Sequence, residues 1–380
     1  MIFLNLKLNN IYSFNDFKIN FSYPQAVRNS LIPNETILDY KNFRYKKVNI
    51  FLGANASGKT TLMKSIWNIM SFLRSKDKNQ LIKMINDINK DAYIEIDFVS
   101  FVTVIPTLNR FKIKLKNLVN DYDVLISHHS IFFKADASYQ KMVKKLDIYE
   151  DNYQSYLELL NDVKLDIGWN VAMPGTEYDF DNVKLLFGSP EVDAKEYLNI
   201  LNTVFKTLDP AIRQVTQSND SKDAVVIEYV NGFKIIVQNN NKLNSFPYLS
   251  SGTKYGFNLA DIIYSIKHHI NNIYIIDEQF SYVNSDVEAA ILSIMVSLLG
   301  PNEQLFITTH NSNILKMNFP FHSFNFMKKV VVDDSQSITC SCASEVEKRN
   351  NVSAKTIIDN DVFATAPDLS EIFNLIDTND

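Results

Sequence analysis

Glycine is scarce in this chain, at 9 of 380 residues, so each glycine in a patterned position asks for a reason. Cysteine is scarcer. Cys340 and Cys342 are the only two, which rules out a disulfide framework. Within SITCSCAS they alternate as strand residues facing one side, and no second Cys or His pair lies nearby to complete a metal site. No apolar run approaches the ~20 residues needed to cross a bilayer, and MIFLNLKLNN reads as a short alternating strand, too short and too polar for a signal peptide. The expectation is a cytoplasmic protein. Neither sign of charge dominates: 38 basic against 43 acidic residues give a net charge of −5, and nothing in that balance calls for a nucleic-acid or membrane partner. Internal repeats, low-complexity tracts and sustained heptads are all missing. What is left, 46% hydrophobic and 21% charged, is ordinary for a folded globular chain, and the length fits two domains or one large domain with an insertion.

The patterning alternates between periods of two and 3.6. Residues 2–8 and 17–22 read as strands joined by the turn-like SFND, followed by a polar loop over roughly 23–42. KKVNIFLG is an apolar strand ending in Gly53, and from Thr60 the apolar residues Leu62, Met63, Ile66, Trp67, Ile69, Met70 and Leu73 fall at helical spacing. AYIEIDFVSF and RFKIKLKN return to period two. Residues 139–165 and 191–207 read as helices, with loops between them around Pro174, Gly175, Gly188 and Pro190. AVVIEYVNGFKIIVQ is a hairpin about Asn231-Gly232. Then follow a helix from Gly252 to about 270, the strand NIYIID, a helix over 285–298, the strand QLFITT, strands around 323–340 and a final helix capped by Asp368.

Three strand ends carry chemistry. Gly53-Ala54-Asn55-Ala56-Ser57-Gly58-Lys59-Thr60 fits GxxxxGK[ST], with a strand before it and a helix after. Such a loop points backbone N–H groups and a helix N-terminus at phosphate oxygens, while Lys59 neutralises the β- and γ-phosphates and Thr60 ligates Mg²⁺. IYIIDE delivers Asp277 to the same metal shell and Glu278 as a base for the attacking water. LFITTH ends the next strand in His310, a candidate contact to the γ-phosphate. All three ends are expected at the C-terminal edge of a parallel sheet, where open α/β sheets bind ligands.

With Leu249-Ser250-Ser251-Gly252-Thr253 placed before a helix and then the Asp-Glu strand, the sequence resembles the ABC-type ATPases, the class that includes SMC and RecF-like proteins. Their signature loop is LSGGQ or a variant such as LSSGT. Within the class, LNNIYSFND and DAYIEIDF look like stretches of prokaryotic ATPases of the OLD type, including ATPase components of anti-phage systems. The likeness covers residues 1–100 and roughly 225–330. It implies an α/β fold: an ABC-type phosphate-loop ATPase head with a central, mostly parallel sheet, N-terminal antiparallel strands and an α-helical insertion. The implied division is an N-terminal lobe over 1–100, strands and helical insertion over 101–245, a lobe with signature, Asp-Glu strand and switch histidine over 246–330, and a strand/helix extension over 331–380. The resemblance further implies that ATP and Mg²⁺ bind at Gly53, Asn55, Ala56, Ser57, Gly58, Lys59, Thr60 and Thr61, with Asp277 on the metal. Two copies then close on the nucleotide, Ser250, Ser251 and Gly252 of one completing the site of the other, to give a homodimer or higher homo-oligomer. Lys59, Glu278 and His310 are the expected catalytic residues.

Two departures stand out. No glutamine lies between Gln80 and Gln140 to fill the class's metal-reaching position after the first helix, and Gln279 stands where many relatives have proline, which is expected to matter little. The insertion has no sustained heptads, which excludes a long coiled-coil arm. OLD proteins carry a C-terminal Toprim nuclease; the expectation here is that the stretch after His310, Asp359 and Asp361 included, does not form one. In QKMVKKLDIYED, Lys141, Lys144 and Lys145 are followed by Asp147, Glu150 and Asp151, a mixed-sign solvated face rather than a DNA-binding stripe. His128-His129 and His268-His269 have no metal-ligand partners at defensible spacing. The leading reading is an ATPase that serves as sensor or scaffold of an anti-phage defence module, controlling a separate nuclease or toxin. The rival is a RecF- or SMC-like DNA-binding repair ATPase. A transporter cassette fits the N-terminal strands and the insertion poorly.

Overall fold

The computed structural model describes residues 1–24, 30–118, 121–162, 171–173, 186, 189, 192–238, 246–280, 283–317, 319–332 and 335–346. The expected helix at Asp368, the Asp359/Asp361 pair, and Pro174, Gly175, Gly188 and Pro190 lie outside the described residues.

The first strands form where the sequence places them, the first of them buried on both faces over Ile2–Leu6 and alternating only beyond it. β1 (Ile2–Asn9) pairs antiparallel with β2 (Phe17–Asn20). The polar loop that follows is not structureless: β3 (Thr36–Ile37) and β4 (Tyr40–Arg44) form a small ribbon, because Ile37 and Phe43 have a core to enter. β5 (Val48–Leu52), buried throughout, leads through residues 53–58 into α1 (Lys59–Ser75), then the short α2 (Asn79–Ile82) and β6 (Ala92–Ser100).

β7 (Thr107–Leu118) and β8 (Asp121–Phe132) make a long antiparallel pair. Sequence pattern does not mark β8 and predicts one helix over 139–165. The structure instead has α3 (Tyr139–Leu146), β9 (Gln154–Ser155) and α4 (Tyr156–Asp162). The break has an electrostatic cause. Asp147 reaches Arg110 at 2.6 Å and Asp151 reaches Lys112 at 2.8 Å, so the chain leaves the helix to pair its acids with the basic residues of β7. Those acids face the sheet rather than balancing the lysines of α3. β10 (Val171–Ala172), α5 (Ala194–Leu208) and the three-stranded sheet of β11 (Ile212–Gln217), β12 (Ala224–Tyr229) and β13 (Lys234–Gln238) follow. β12 and β13 are the hairpin expected about Gly232, whose φ of 86° suits a residue without Cβ. Of the two helices expected in the middle of the chain, α5 stands where 191–207 placed it, the one over 139–165 is broken into α3 and α4, and the region holds more strand than periodicity announced.

The last part matches its pattern closely: α6 (Ser251–Lys267), β14 (Ile273–Asp277), α7 (Ser285–Leu298), β15 (Gln304–Thr308), the antiparallel pair β16 (Phe324–Val332) and β17 (Ser335–Cys342), and the short α8 (Ala343–Val346).

Two six-stranded sheets result. One is antiparallel, in the order β2-β1-β6-β7-β8-β9; the other runs β10-β14-β15-β5-β16-β17 and is parallel except for β17. The parallel strands are apolar on both faces. Ile273, Ile275, Phe306 and Phe51 face α1 and the antiparallel sheet, while Tyr274, Ile276, Leu305, Ile307 and Ile50 face the core of α5, α6 and α7. β5, β14 and β15 are adjacent and parallel, so residues 53–60, Asp277-Glu278 and Thr309-His310 emerge along one edge. Among the described residues no helix is long and apolar enough to cross a membrane.

Candidate functional site

The loop after β5 is shaped by what lies behind it. A Cβ on Gly53 would stand 2.3 Å from the Met327 carbonyl oxygen of β16, and one on Gly58 would stand 2.8 Å from the Ile338 side chain of β17. Both glycines therefore admit the β16–β17 hairpin as well as any ligand in front. Gly58, at φ 97°, caps α1, and Ala56 takes φ 60° without being glycine. Gly53→Ala should abolish nucleotide binding by displacing the loop from β16, since backbone cannot yield as a side-chain tip can. Fluorescent-nucleotide titration measures this, and unchanged affinity would contradict it.

The loop's polar groups converge. Lys59 is buried, and its Nζ donates to the carbonyls of Gly53 (3.0 Å) and Ala54 (3.1 Å) and lies 3.8 Å from Glu278 Oε1. Burial lowers its pKa, opposed by the charges of Glu278 and Asp277. Ser57 Oγ is buried with no hydrogen-bond partner among the described residues. An orphan hydroxyl and an ammonium group satisfied largely by carbonyls, at the start of a 17-residue helix, fit an anionic guest. Asn55 and Ala56 are exposed; Thr60 and Thr61 are half-buried in the first turn of α1.

The structure brings Asp277 and Thr60 together. Asp277 Oδ1 accepts from Thr60 Oγ1 at 3.1 Å and from Thr308 Oγ1 at 2.6 Å. Burial raises the Asp277 pKa, and the two hydroxyls oppose that. Sequence pattern does not single out Thr308; the doubled threonine of LFITTH is its only trace, and its contact depends on β15 lying beside β14. Thr308 Oγ1 also accepts the Glu278 N–H at 3.0 Å. Glu278 itself stands at φ 53°, a left-handed conformation that costs a non-glycine residue about 1–3 kcal/mol. Its Oε1 lies 2.8 Å from His310 Nε2. The three expected catalytic side chains, Lys59, Glu278 and His310, are therefore one cluster.

The signature residues sit apart. Ser250 is the N-cap of α6: its Oγ accepts the Thr253 N–H at 3.1 Å. Ser251 and Gly252 occupy the first turn, half-exposed. Among the described residues no hydrogen bond or ion pair joins 250–252 to 53–60. The second glycine of YLSSGTKYGF has a different use, since a Cβ on Gly256 would lie 2.7 Å from the Phe205 ring. It lets α5 and α6 approach.

Gln279 is more than a replaced proline. It is buried and accepts from Asn258 Nδ2 of α6 at 3.0 Å, tying the signature helix to the residue after Glu278. Asn258→Leu should lower unfolding free energy by about 1–3 kcal/mol, because a buried acceptor loses a donor. Denaturant titration checks this, and an unchanged midpoint would contradict it. β10 pairs parallel with β14, Val171 opposite Ile273.

The remaining candidates have structural partners. His128 bonds Asn109 at 3.0 Å and burial pushes its pKa down to about 4, so it is neutral; His129 faces Asp151, His268 faces Glu196 and His269 faces Glu303. Among the described residues no three His, Cys, Asp or Glu cluster to hold a metal ion. Cys340 and Cys342 are free on β17. SYVNSD (Ser281–Asp286), which loosely resembles the loop after the Asp-Glu strand in ABC-type ATPases, has Ser281 and Tyr282 outside the described residues, while Asn284 caps α7 by accepting the Asp286 N–H at 2.8 Å.

No protein-family model and no curated protein matches the chain. Solved structures do. An SMC head bound to the C-terminal winged-helix domain of ScpA matches at TM-score 0.50 and 13% identity, over 91% of this chain and 100% of that one. An Smc head with an extended coiled coil, bound to the C-terminal domain of ScpA derived from Pyrococcus furiosus, matches at TM-score 0.50 and 12% identity, over 91% and 98%. The chain therefore has an α/β fold like that of SMC heads, the ABC-type phosphate-loop ATPase fold.

Proposed function

We propose that this protein binds ATP with Mg²⁺ at residues 53–61 and hydrolyses it in a site completed by Ser250, Ser251 and Gly252 of a second copy. One observation carries the reading: Thr60 and Asp277 are joined on the metal side, while Glu278 stands between Lys59 and His310 on the other. Thr60 and Asp277 would hold Mg²⁺, which supplies charge neutralisation at the phosphates. Lys59 would move from carbonyl oxygens to phosphate oxygens. Glu278, held by the Thr308 hydroxyl and its own strained backbone, would orient and deprotonate the water. His310, exposed beside it, would meet the γ-phosphate. The half-exposed start of α6 offers N–H groups, the Ser251 hydroxyl and the positive end of a helix dipole to the phosphates of another copy. The test is phosphate release measured against protein concentration with and without Mg²⁺. Turnover per chain that rises with concentration supports the reading, and Mg²⁺-dependent turnover with no such dependence removes the second copy from it.

We further read the assembly as controlling a separate effector, a nuclease or toxin, in a defence module. The OLD-like stretches Leu8–Asp16 and Asp91–Phe98 support this; they meet in the antiparallel sheet, where β1 pairs with β6. The likeness to SMC heads is compatible with the rival, a RecF- or SMC-like DNA-binding repair ATPase. Co-purification with the product of the adjacent open reading frame, with and without ATP, separates the two when paired with salt-dependent DNA retention.

A further inference from the structure

His310 is exposed, yet the residues on either side of it are firmly held. Glu288, in the first turns of α7, is 2% exposed. Its carboxylate accepts from Thr309 Oγ1 at 2.9 Å and from Asn311 Nδ2 at 2.6 Å. Thr309 Oγ1 also accepts the Asn311 N–H at 3.0 Å, and the Thr309 N–H donates to the Phe51 carbonyl of β5 at 3.1 Å. Asn311 Oδ1 accepts the Asn313 N–H at 3.0 Å. The loop that carries the imidazole is thus braced to α7 and to the strand that leads into residues 53–58.

Stability does not explain Glu288. Its two partners are neutral, and burying a carboxylate against neutral donors costs more desolvation than an apolar side chain in the same place would. The first turns of a helix soften that cost without removing it. Burial holds the Glu288 carboxyl above its usual range, with Asn311 and Thr309 opposing. α7 is also the helix that follows Glu278 along the chain, so one rigid element connects to both members of the Glu278–His310 pair.

We propose that Glu288 is the positioning residue for His310, gripping Thr309 and Asn311 so that the imidazole stays within hydrogen-bonding distance of Glu278 and in reach of the γ-phosphate. The proposal rests on the reading of this site as ATP-hydrolysing, and its test separates the two. In a double-variant cycle, Glu288→Ala should lower kcat roughly 10- to 100-fold with KM for ATP little changed, as displacement of a reacting group does. Glu288→Gln, whose amide can accept from Asn311 and donate to Thr309, should stay within roughly threefold of the unaltered protein. Glu288→Ala with His310→Ala should turn over no more slowly than His310→Ala alone, since both changes remove one function.

A second readout needs no activity. In the nucleotide-free protein, amide hydrogen exchange across Thr309–Asn313 should quicken about tenfold or more in Glu288→Ala and recover in Glu288→Gln. Thr309→Val, which keeps shape and removes one donor, should quicken the same amides and serves if Glu288→Ala does not fold. Losses that multiply in the double variant would overturn the proposal, as would exchange unchanged by Glu288→Ala or, in its place, by Thr309→Val. Wild-type protein that fails to hydrolyse ATP would instead overturn the ATPase reading, and the exchange result would still decide the role of Glu288.

Discussion

Glu278→Gln should leave ATP binding intact and cut turnover roughly 10²- to 10⁴-fold, the range expected when a positioned general base is lost. The argument is local. In the proposed site Lys59, Thr60 and Asp277 would do the holding, and none needs the Glu278 carboxylate: Thr60 bonds Asp277 Oδ1 directly, and Lys59 is 3.0–3.1 Å from two carbonyl oxygens but 3.8 Å from Glu278. Glutamine keeps the size and the backbone N–H bond to Thr308, so the strained φ 53° conformation persists. What it cannot do is take a proton. The ATP-bound assembly should accumulate, visible as a larger species in light scattering that outlasts that of the unaltered protein. Turnover near the wild-type rate would remove Glu278 as the base.

Ser251→Arg should have as large an effect on turnover by a different route. Ser250 already spends its hydroxyl as the cap of α6, so the Ser251 side chain is free to face outward from the first turn. Arginine there adds bulk and places charge at the positive end of the helix, while α6 keeps its cap and its packing on Phe205. The phosphate loop of the same chain is untouched by bonds to this turn. A single subunit should therefore bind nucleotide with ordinary affinity, and ATP-dependent association and hydrolysis should both be lost. Association that survives with normal turnover would mean that the glycine and serines only start a helix.

The site was legible where a residue's role depends on its own strand and turn. Asp277 follows four apolar residues because β14 is buried on both faces, and Gly53 and Gly58 sit at fixed spacing because a phosphate loop must turn tightly between strand and helix. Thr308 was not legible, since only the pairing of β15 with β14 brings its hydroxyl to Asp277. Gln279 and Glu288 were hidden for the same reason: their partners come from α6 and from the loop after β15. The fold shows a similar divide. β8 alternates at Tyr122, Val124 and Ile126 but loses the pattern at Ser127–His129, where neighbouring side chains rather than the core receive the polar groups. The apparent helix over 139–165 failed because ion pairs to β7 outweighed local propensity at Asp147 and Asp151.

The central claim, that each site is completed by a second copy, is tested most directly by mixing two inactive variants. Lys59→Ala removes the phosphate loop's amine and keeps the α6 start; Ser251→Arg does the reverse. Each alone should be inactive. Mixed in equal amounts, chains that pair one of each carry one site with both parts intact, enough to hold that pair together, and turnover should return to at most roughly a quarter of the wild-type value. A mixture as inactive as its components, while the two still associate with ATP, would contradict the shared site.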